Sequence, residues 1–337
     1  MPADFIDPGS FDLPDVTKAI DSTERPLIRQ DLESVITRVD MKGTPLRKRW
    51  SRIKANGLTH EYTQRTSLGT PEGGAFYADG QLPPDGTTKY LRKGKMIKCL
   101  GEIGRVTGLM IAAGRSFADQ LALEQQARMV SVLQEEEKGL IFASAASPKV
   151  ITNADGSQTV EFLEFDGISR IINNEGGVVF SAAGFAGGTK ISIPLLNSVI
   201  EKIYNNNGEP TSILVGAREK RFFNELLQSF VRYNGDGIVH VERQLGTSVM
   251  YYDSDFGSLP IIPTRYIVPN ESTKESEAFV FCEKTAGENI IEIAELQKIG
   301  SQPLAKIDDS ERFMINEYEA PICRAPQWNA EITGLTA

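Results

Sequence analysis

The segment Arg115–Ala143, RSFADQLALEQQARMVSVLQEEEKGLIFA, is the longest helix candidate of the chain, and the other predicted elements flank it. Ser116 and Asp119 match a capping box, in which side chains satisfy the free amide groups at a helix start. Apolar residues then recur at helical spacing, and the other face carries glutamine and glutamate, including Glu135 and Glu136. We therefore predict an amphipathic helix at about 116–138, about 35 Å long, with its acidic face in solvent.

The composition is that of a globular protein. The chain has 337 residues, 40% hydrophobic and 24% charged, which is enough for roughly two domains. No apolar run approaches the ~20 residues of a membrane span. The N-terminal residues lack the pattern of a signal peptide, and three widely spaced cysteines predict no disulfide framework.

The charge of the chain is unevenly distributed. The net charge is −9, but residues 41–105 carry 13 basic and five acidic side chains, a net +8 that leaves −17 for the rest. A basic surface on one molecule could therefore attract an acidic surface on an identical one. A negative total argues against coating nucleic acid by charge. A nucleic-acid-binding module in 41–105 remains an alternative, although aromatic residues are not interleaved there.

A long hairpin is predicted within this basic segment. Two strand-like runs, Gly57–Leu68 and Thr87–Leu100, enclose residues 69–86, which are rich in glycine and proline. A two-stranded hairpin is at best marginally stable alone in water. We therefore expect it to lie on the body of its own chain or on another subunit.

The remaining elements predict a mixed α+β chain. Residues 1–30 form an extended arm with four prolines, followed by a short helix at 31–40 and a turn that Thr44 caps. A glycine-rich loop is predicted at 173–190. Helices follow at about 193–203 and 218–230, and strands dominate from 238 onward, without regular βαβ alternation.

Enzyme motifs are mostly absent. His60 and His240 are the only histidines, and neither has a ligand at metal-binding spacing. The loop 184–190, GFAGGTK, lacks the G-K-[ST] order of a phosphate loop. An enzyme that uses Cys99 or Lys190 remains an alternative, but we expect no catalysis, no cofactor and no metal site.

Short motifs along the chain resemble those of one protein family. They are Thr44-Pro45-Leu46, Lys54-Ala55-Asn56, Thr59-His60-Glu61-Tyr62-Thr63-Gln64, Asp255-Phe256-Gly257, Pro263-Thr264-Arg265-Tyr266, Pro303-Leu304-Ala305-Lys306, Asp309-Ser310-Glu311-Arg312 and Glu317-Tyr318. With the element order, over roughly 31–337, they resemble the major capsid proteins of tailed bacteriophages, which have the Hong Kong 97-like fold.

The resemblance implies a domain organisation. It predicts an N-terminal arm at 1–40 and an extended loop hairpin with its stem at 41–100. It further predicts a peripheral domain from 101–165 and 297–337, with the predicted long helix at about 116–138 as its spine, and an axial domain at 166–296.

The resemblance also implies a structural function. The chain would self-assemble into pentamers and hexamers that form an icosahedral head around double-stranded phage DNA, which it would contact only loosely. Portal, scaffold and cement or decoration proteins are the expected partners, and no membrane is. The protein would be assembled in the bacterial cytoplasm and reside in the virion. An encapsulin-like nanocompartment shell is the alternative.

The charge imbalance and the hairpin together suggest an inter-subunit contact. We expect six basic residues to hold the hairpin stem against an acidic surface of an adjacent subunit. These residues, called the stem cations below, are Arg47, Lys48, Arg49, Arg92, Lys93 and Lys95.

Overall fold

The computed structural model describes residues 43–70, 74–114, 119–147, 149–152, 158–161, 163–184, 190–231, 250–285 and 287–336. Three of the six α-helices in this part have seven residues or fewer. The six helices are α1 (Pro45–Arg49), α2 (Gly108–Gly114), α3 (Gln120–Phe142), α4 (Ile168–Asn174), α5 (Ile193–Asn205) and α6 (Ala217–Val231). None of the described helices combines the length and the apolar character needed to cross a membrane.

Strands make up much of the rest. They are β1 (Ser51–Lys54), β2 (Thr59–Ser67), β3 (Lys89–Met96), β4 (Lys98–Thr107), β5 (Lys149–Thr152), β6 (Gln158–Glu161), β7 (Val178–Ser181), β8 (Ser212–Gly216), β9 (Tyr251–Ser254), β10 (Gly257–Thr264), β11 (Ser276–Phe281), β12 (Lys284–Thr285), β13 (Glu288–Asn289), β14 (Ile291–Pro303), β15 (Ser310–Cys323) and β16 (Ala330–Leu335).

Two sheets organise the described residues. A four-stranded sheet has the order β1-β14-β15-β4, and a six-stranded sheet has the order β7-β16-β11-β8-β10-β9. Residues 41–337 form one compact unit. The predicted domain boundary at 296/297 falls within β14, and β16 lies in the six-stranded sheet although β15 lies in the other.

The central strands of the six-stranded sheet are buried on both faces. In β8, Ile213 and Val215 pack with the helix α5, whereas Leu214 faces a second core shared with the four-stranded sheet. This division follows from the two-residue period of a strand. The helix predicted at about 193–203 is confirmed as α5, and its apolar stripe is buried, namely Leu195, Leu196, Val199, Ile200 and Ile203.

The long helix differs from its prediction at both ends. It begins at Gln120, where Asp119 is the N-cap and accepts hydrogen bonds from the amides of Leu121 and Ala122. Ser116 lies outside the described residues. The helix continues through Gly139 to Phe142, because its last turns are buried and packing supports the glycine there.

The prediction that the acidic face of this helix lies in solvent is wrong at Glu136. Glu136 is fully buried, and so is Glu137, whereas the apolar residue Ala127 is exposed. The cause is tertiary. Basic side chains from another part of the chain cover the acidic end of the helix, as described below.

One predicted loop contains a strand. Residues 178–181 within 173–190 form β7, which pairs in parallel with β16 at the end of the chain. The second strand of the hairpin also continues further than predicted, as β4, which pairs with β15 along its whole length. The predicted arm at 1–30 and helix at 31–40 lie outside the described residues.

Candidate assembly interface

The extended hairpin, β2 and β3 with the residues between them, carries much exposed apolar surface. Thr59 pairs with Met96 at its base, and pairing continues to Ser67 and Lys89. Beyond these strands the exposed fractions of Phe76 and Leu82 are 100% and 90%. Covering such apolar side chains with another surface is favourable, because it removes them from water.

The base of the hairpin is fixed to the body by Tyr62. Its side chain is buried, and its hydroxyl donates a hydrogen bond to the carbonyl oxygen of Cys323 at 3.2 Å. The guanidinium of Arg324 lies 5.9 Å from the centre of its ring. Burial raises the pKa of Tyr62, so the hydroxyl remains a donor at neutral pH.

Two stem cations join the hairpin to the helix α4. Lys93 Nζ lies 2.7 Å from Glu175 Oε2, and Lys95 Nζ lies 2.5 Å from Glu175 Oε1. Burial of Glu175 would raise its pKa, but hydrogen bonds from both lysines outweigh this effect, so the pKa is lower than 4.5. The carboxylate of Glu175 therefore clamps β3 through Lys93 and Lys95, which are two residues apart and lie on the same face of the strand.

The short helix α1 is held by the acidic end of α3. Pro45 starts α1, Leu46 is fully buried, and Thr44 makes no side-chain cap. Glu137 replaces that cap, because its carboxylate accepts the backbone N–H groups of Leu46 at 2.7 Å and Arg47 at 2.9 Å. The local sequence supplies the helix start, and a residue 91 positions away supplies its hydrogen bonds.

Two further stem cations have acidic partners within the chain. Arg47 contacts Glu136 and donates to Glu317 at 3.0 Å, and Arg49 forms a two-pronged pair with Glu283 at 2.6 and 3.0 Å. These are strong charge-assisted contacts, because each is at least partly shielded from water.

The last two stem cations remain at the surface. Lys48 is exposed, and no ion pair is found for it within the described part of the chain. Arg92 pairs with Glu61 on the neighbouring strand, but its side chain is 73% exposed. The structure thus divides the six residues into four with buried or half-buried partners and two that are available to a neighbour.

The residues that hold the stem were largely missed by sequence reasoning. Glu175 and Glu137 belong to no motif, and Tyr62 entered only as part of the motif at 59–64. Arg52, which joins β1 to four carboxylates, was counted only as part of a basic segment. The available signal was the charge imbalance itself. It indicated acidic partners for the basic segment, but not that these partners belong to the same chain.

The candidate enzyme residues that the structure describes lie on different elements. Cys99 is exposed on β4, and His60 lies on β2 of the hairpin. Lys190 is exposed and lies over the ring of Phe222 at 5.2 Å. His240 and the loop residues 185–189 lie outside the described residues.

The Glu175 clamp leads to a first prediction. We expect Glu175→Gln to remove both ion pairs and to lower the protection of β2 and β3 against hydrogen exchange by about tenfold or more, since charge-assisted hydrogen bonds contribute about 1.5–3 kcal/mol. Hydrogen–deuterium exchange mass spectrometry measures this. Glu61→Gln is the matched control, because its ion pair with Arg92 is exposed. Equal exchange in both variants would argue against the clamp.

A comparison with protein-family models identifies one family. The model described as SU10 major capsid protein matches residues 16–336. The match covers nearly the whole chain, including both sheets. No curated protein sequence matches the chain.

Solved structures with the same architecture come from phage and related shells. A chain from Mycobacterium phage Bobi has a TM-score of 0.62 at 10% identity, covering 94% of this chain and 98% of its own. The capsid of a native GTA particle has a TM-score of 0.62 at 12% identity, covering 96% and 100%. The holo-SrpI encapsulin complex from Synechococcus elongatus PCC 7942 also has 0.62, at 8% identity, covering 95% and 96%. The predicted Hong Kong 97-like α+β fold is confirmed.

Proposed function

The chain belongs to the SU10 major capsid protein family, and on that basis we propose that it forms the pentamers and hexamers of an icosahedral phage head around double-stranded DNA. As a member of this family it is a structural protein that self-assembles into a virion capsid. The observation that carries the proposal is the family match over 16–336. The exposed apolar hairpin tip is consistent with it, because heterologous contacts repeated by rotation close into rings.

The assignment of each segment to a domain is part of the proposal. Residues 1–40 are the arm, 41–100 the extended hairpin and its stem, and 101–165 with 297–337 the peripheral domain, with α3 as its spine. Residues 166–296 are the axial domain. The six-stranded sheet supplies most of the axial domain and also takes the C-terminal strand β16.

The stem cations have two roles in this proposal. Arg47, Arg49, Lys93 and Lys95 contribute to the inter-subunit contact indirectly, since they fix the direction in which the hairpin leaves its own subunit. Lys48 and Arg92 are exposed and meet an acidic surface of the adjacent subunit directly.

A charge reversal tests the direct contact. We expect Lys48→Glu with Arg92→Glu to leave the subunit folded, because both side chains are exposed, and to reduce the yield of shells by about tenfold, since a like charge opposed at every repeated contact lowers the summed affinity. Shell yield is measured by sedimentation and circular dichroism reports folding. The control is Lys138→Glu with Arg221→Glu, which reverses two charges on exposed helix surfaces. Normal shells from the first variant would remove Lys48 and Arg92 from the interface.

The direct test of the function is the particle mass of the expressed protein. Light scattering with negative-stain imaging should give megadalton spheres, or rings of five and six subunits. A stable 37.0 kDa monomer that stays monomeric when scaffold and portal proteins are added would overturn the proposal.

A cellular nanocompartment is the second candidate, favoured by the structural similarity to an encapsulin at a TM-score of 0.62. The two functions differ in their contents. Shells purified from the native source should contain double-stranded DNA in the first case and an enzyme cargo in the second.

The remaining partners follow from the same proposal. A phage head needs a portal for its DNA, a scaffold or an equivalent to set its curvature, and in some cases a cement or decoration protein. The net charge of −9 would keep contact with packaged DNA loose. Assembly would take place in the bacterial cytoplasm, and the chain would have a structural role without catalysis.

A further inference from the structure

Three buried carboxylates meet where α1, β1, α3 and β15 converge. Glu136, Glu317 and Glu319 each have an oxygen within 4.8 Å of the others, and all three side chains are fully buried. We call these three residues the carboxylate cluster. Like charges at this separation in a dry environment cannot all remain ionised without compensation.

The compensation by basic residues is incomplete. Arg47 contacts Glu136 and Glu317, and Arg52 lies 2.5 Å from Glu136, 2.7 Å from Glu317 and 3.2 Å from Glu319. Two guanidinium groups therefore face three buried carboxylates. The charged groups that face Glu319 from each packed element are Arg47 of α1, Arg52 of β1, Glu136 of α3, Glu295 of β14, Glu317 of β15 and, opposite it in the register of β4, Lys98.

The carboxylate of Glu319 is left without a hydrogen bond. Its Oε2 lies 3.2 Å from Arg52, but neither of its two oxygens accepts a hydrogen bond from the described residues. Both oxygens of Glu136 and of Glu317 contact guanidinium nitrogens. A buried oxygen with no donor is costly, unless it carries a proton of its own.

We infer that the carboxylate cluster is a proton-binding site, in which Glu319 holds the proton and joins α1 and β1 to the long helix and to β15. A protonated Glu319 is a donor among acceptors, so it replaces repulsion with a hydrogen bond toward Glu317 or Glu136. With Glu295 and Lys98 included, four carboxylates meet three basic groups, so one added proton also removes the excess negative charge. Burial, with Glu317 second, raises the pKa of Glu319 to about 8, in agreement with this geometry.

A divalent cation fits the same cluster less well. Such an ion needs several oxygens at about 2.0–2.6 Å. Five of the six oxygens here already contact guanidinium groups, so the ion would lie against two fixed positive charges. A proton needs only one oxygen of Glu319.

The site makes stability depend on pH with a defined sign. The pKa of Glu319 is higher in the folded chain than its ordinary value of 4.5, so its contribution is complete below pH 4.5 and is lost as pH rises through about 8. Above that pH a third negative charge appears in the cluster. The base of the hairpin is then weakened, because β1 leads directly into β2. Any consequence of this weakening for shells rests on the proposed function. The titration of Glu319 itself does not depend on that function.

The test uses the full-length chain in whatever assembly state it adopts. Between about pH 5 and about pH 8 the folding equilibrium constant should fall by about tenfold per pH unit through this group, as linkage requires. Glu319→Gln is isosteric with the protonated form and should lose this pH-dependent component of stability. At about pH 9 its urea midpoint should therefore be equal to or above that of the natural chain. Glu331→Gln is the matched control, because Glu331 is also buried with a pKa raised to about 7, but lies in the other sheet.

A second readout does not depend on the variant folding. The infrared C=O band of a protonated carboxyl group should be present in the natural chain at neutral pH and should disappear with a midpoint near pH 8. Glu331→Gln should retain the infrared band that disappears near pH 8. Its absence from the natural chain, or an unchanged pH dependence in Glu319→Gln, would overturn the inference. So would a pH dependence that Mg²⁺ or Ca²⁺ abolishes and a chelator restores, since the site would then hold a cation. Failure of the protein to form shells would count against the proposed function alone.

Discussion

Replacing Arg52 with methionine should destabilise the subunit by about 3–5 kcal/mol, the cost of leaving buried charges without their partner. The Arg52 guanidinium is the common partner of four carboxylates, with distances of 2.5 Å to Glu136, 2.6 Å to Glu295, 2.7 Å to Glu317 and 3.2 Å to Glu319. Methionine keeps the length of the side chain and removes the charge. The free energy of unfolding, measured by urea denaturation of the unassembled subunit, reports the loss.

The matched control is Arg221→Met. Arg221 also forms an ion pair, with Glu225 at 3.7 Å, but their side chains are 70% and 63% exposed. Exposed pairs contribute at most about 1 kcal/mol, so this variant should unfold at nearly the same urea concentration as the natural chain. A similar small effect for both arginines would show that the buried cluster is relaxed by water or by proton uptake at more than one carboxylate.

Removing the hairpin tip should abolish shell formation without unfolding the subunit. The tip can be removed cleanly, because a Cβ on Gly69 would collide with the backbone of Thr87, so the two ends of the tip are adjacent. Residues 70–86 can therefore be replaced by Asn-Gly, a two-residue hairpin turn. The described tip residues, including Phe76 and Leu82, are largely exposed in the single chain, so its stability should change by less than about 1 kcal/mol.

The expected loss of shells follows from repetition. A contact made once by every subunit is made at all equivalent positions, so losing it should reduce the yield of closed particles by more than about tenfold. A variant in which 70–86 is replaced by a Gly/Ser segment of equal length separates the apolar contact from the length of the loop. It should also fail to assemble. Particles of normal mass and yield from the shortened chain would place the main inter-subunit contact elsewhere.

Local patterns in the sequence were sufficient for several elements. The helices predicted at about 193–203 and 218–230 correspond to α5 and α6, and Asp119 of the predicted capping box is the N-cap of α3. The glycines and prolines between two alternating runs define the hairpin. In each case the chemical signal lies within the element, because helix and strand periods are properties of consecutive residues.

The acidic end of α3 shows where local reasoning stops. Glu135, Glu136 and Glu137 are adjacent and chemically alike, yet Glu135 is exposed and the other two are fully buried. What separates them is the position of Arg47 and Arg52, which lie more than 80 residues earlier in the chain. No periodicity within the helix contains that information.

The sequence alone determined the mixed α+β class, the position of the hairpin and the charge contrast between residues 41–105 and the remainder. Tertiary structure alone decided which charges meet. It placed Glu136, Glu317 and Glu319 beside Arg47 and Arg52, set Glu175 beneath Lys93 and Lys95, and left Lys48 and Arg92 at the surface. The physical reason is that burial and ion pairing depend on distances in space, which join residues up to 270 positions apart, whereas secondary structure is encoded over a few turns or strand repeats.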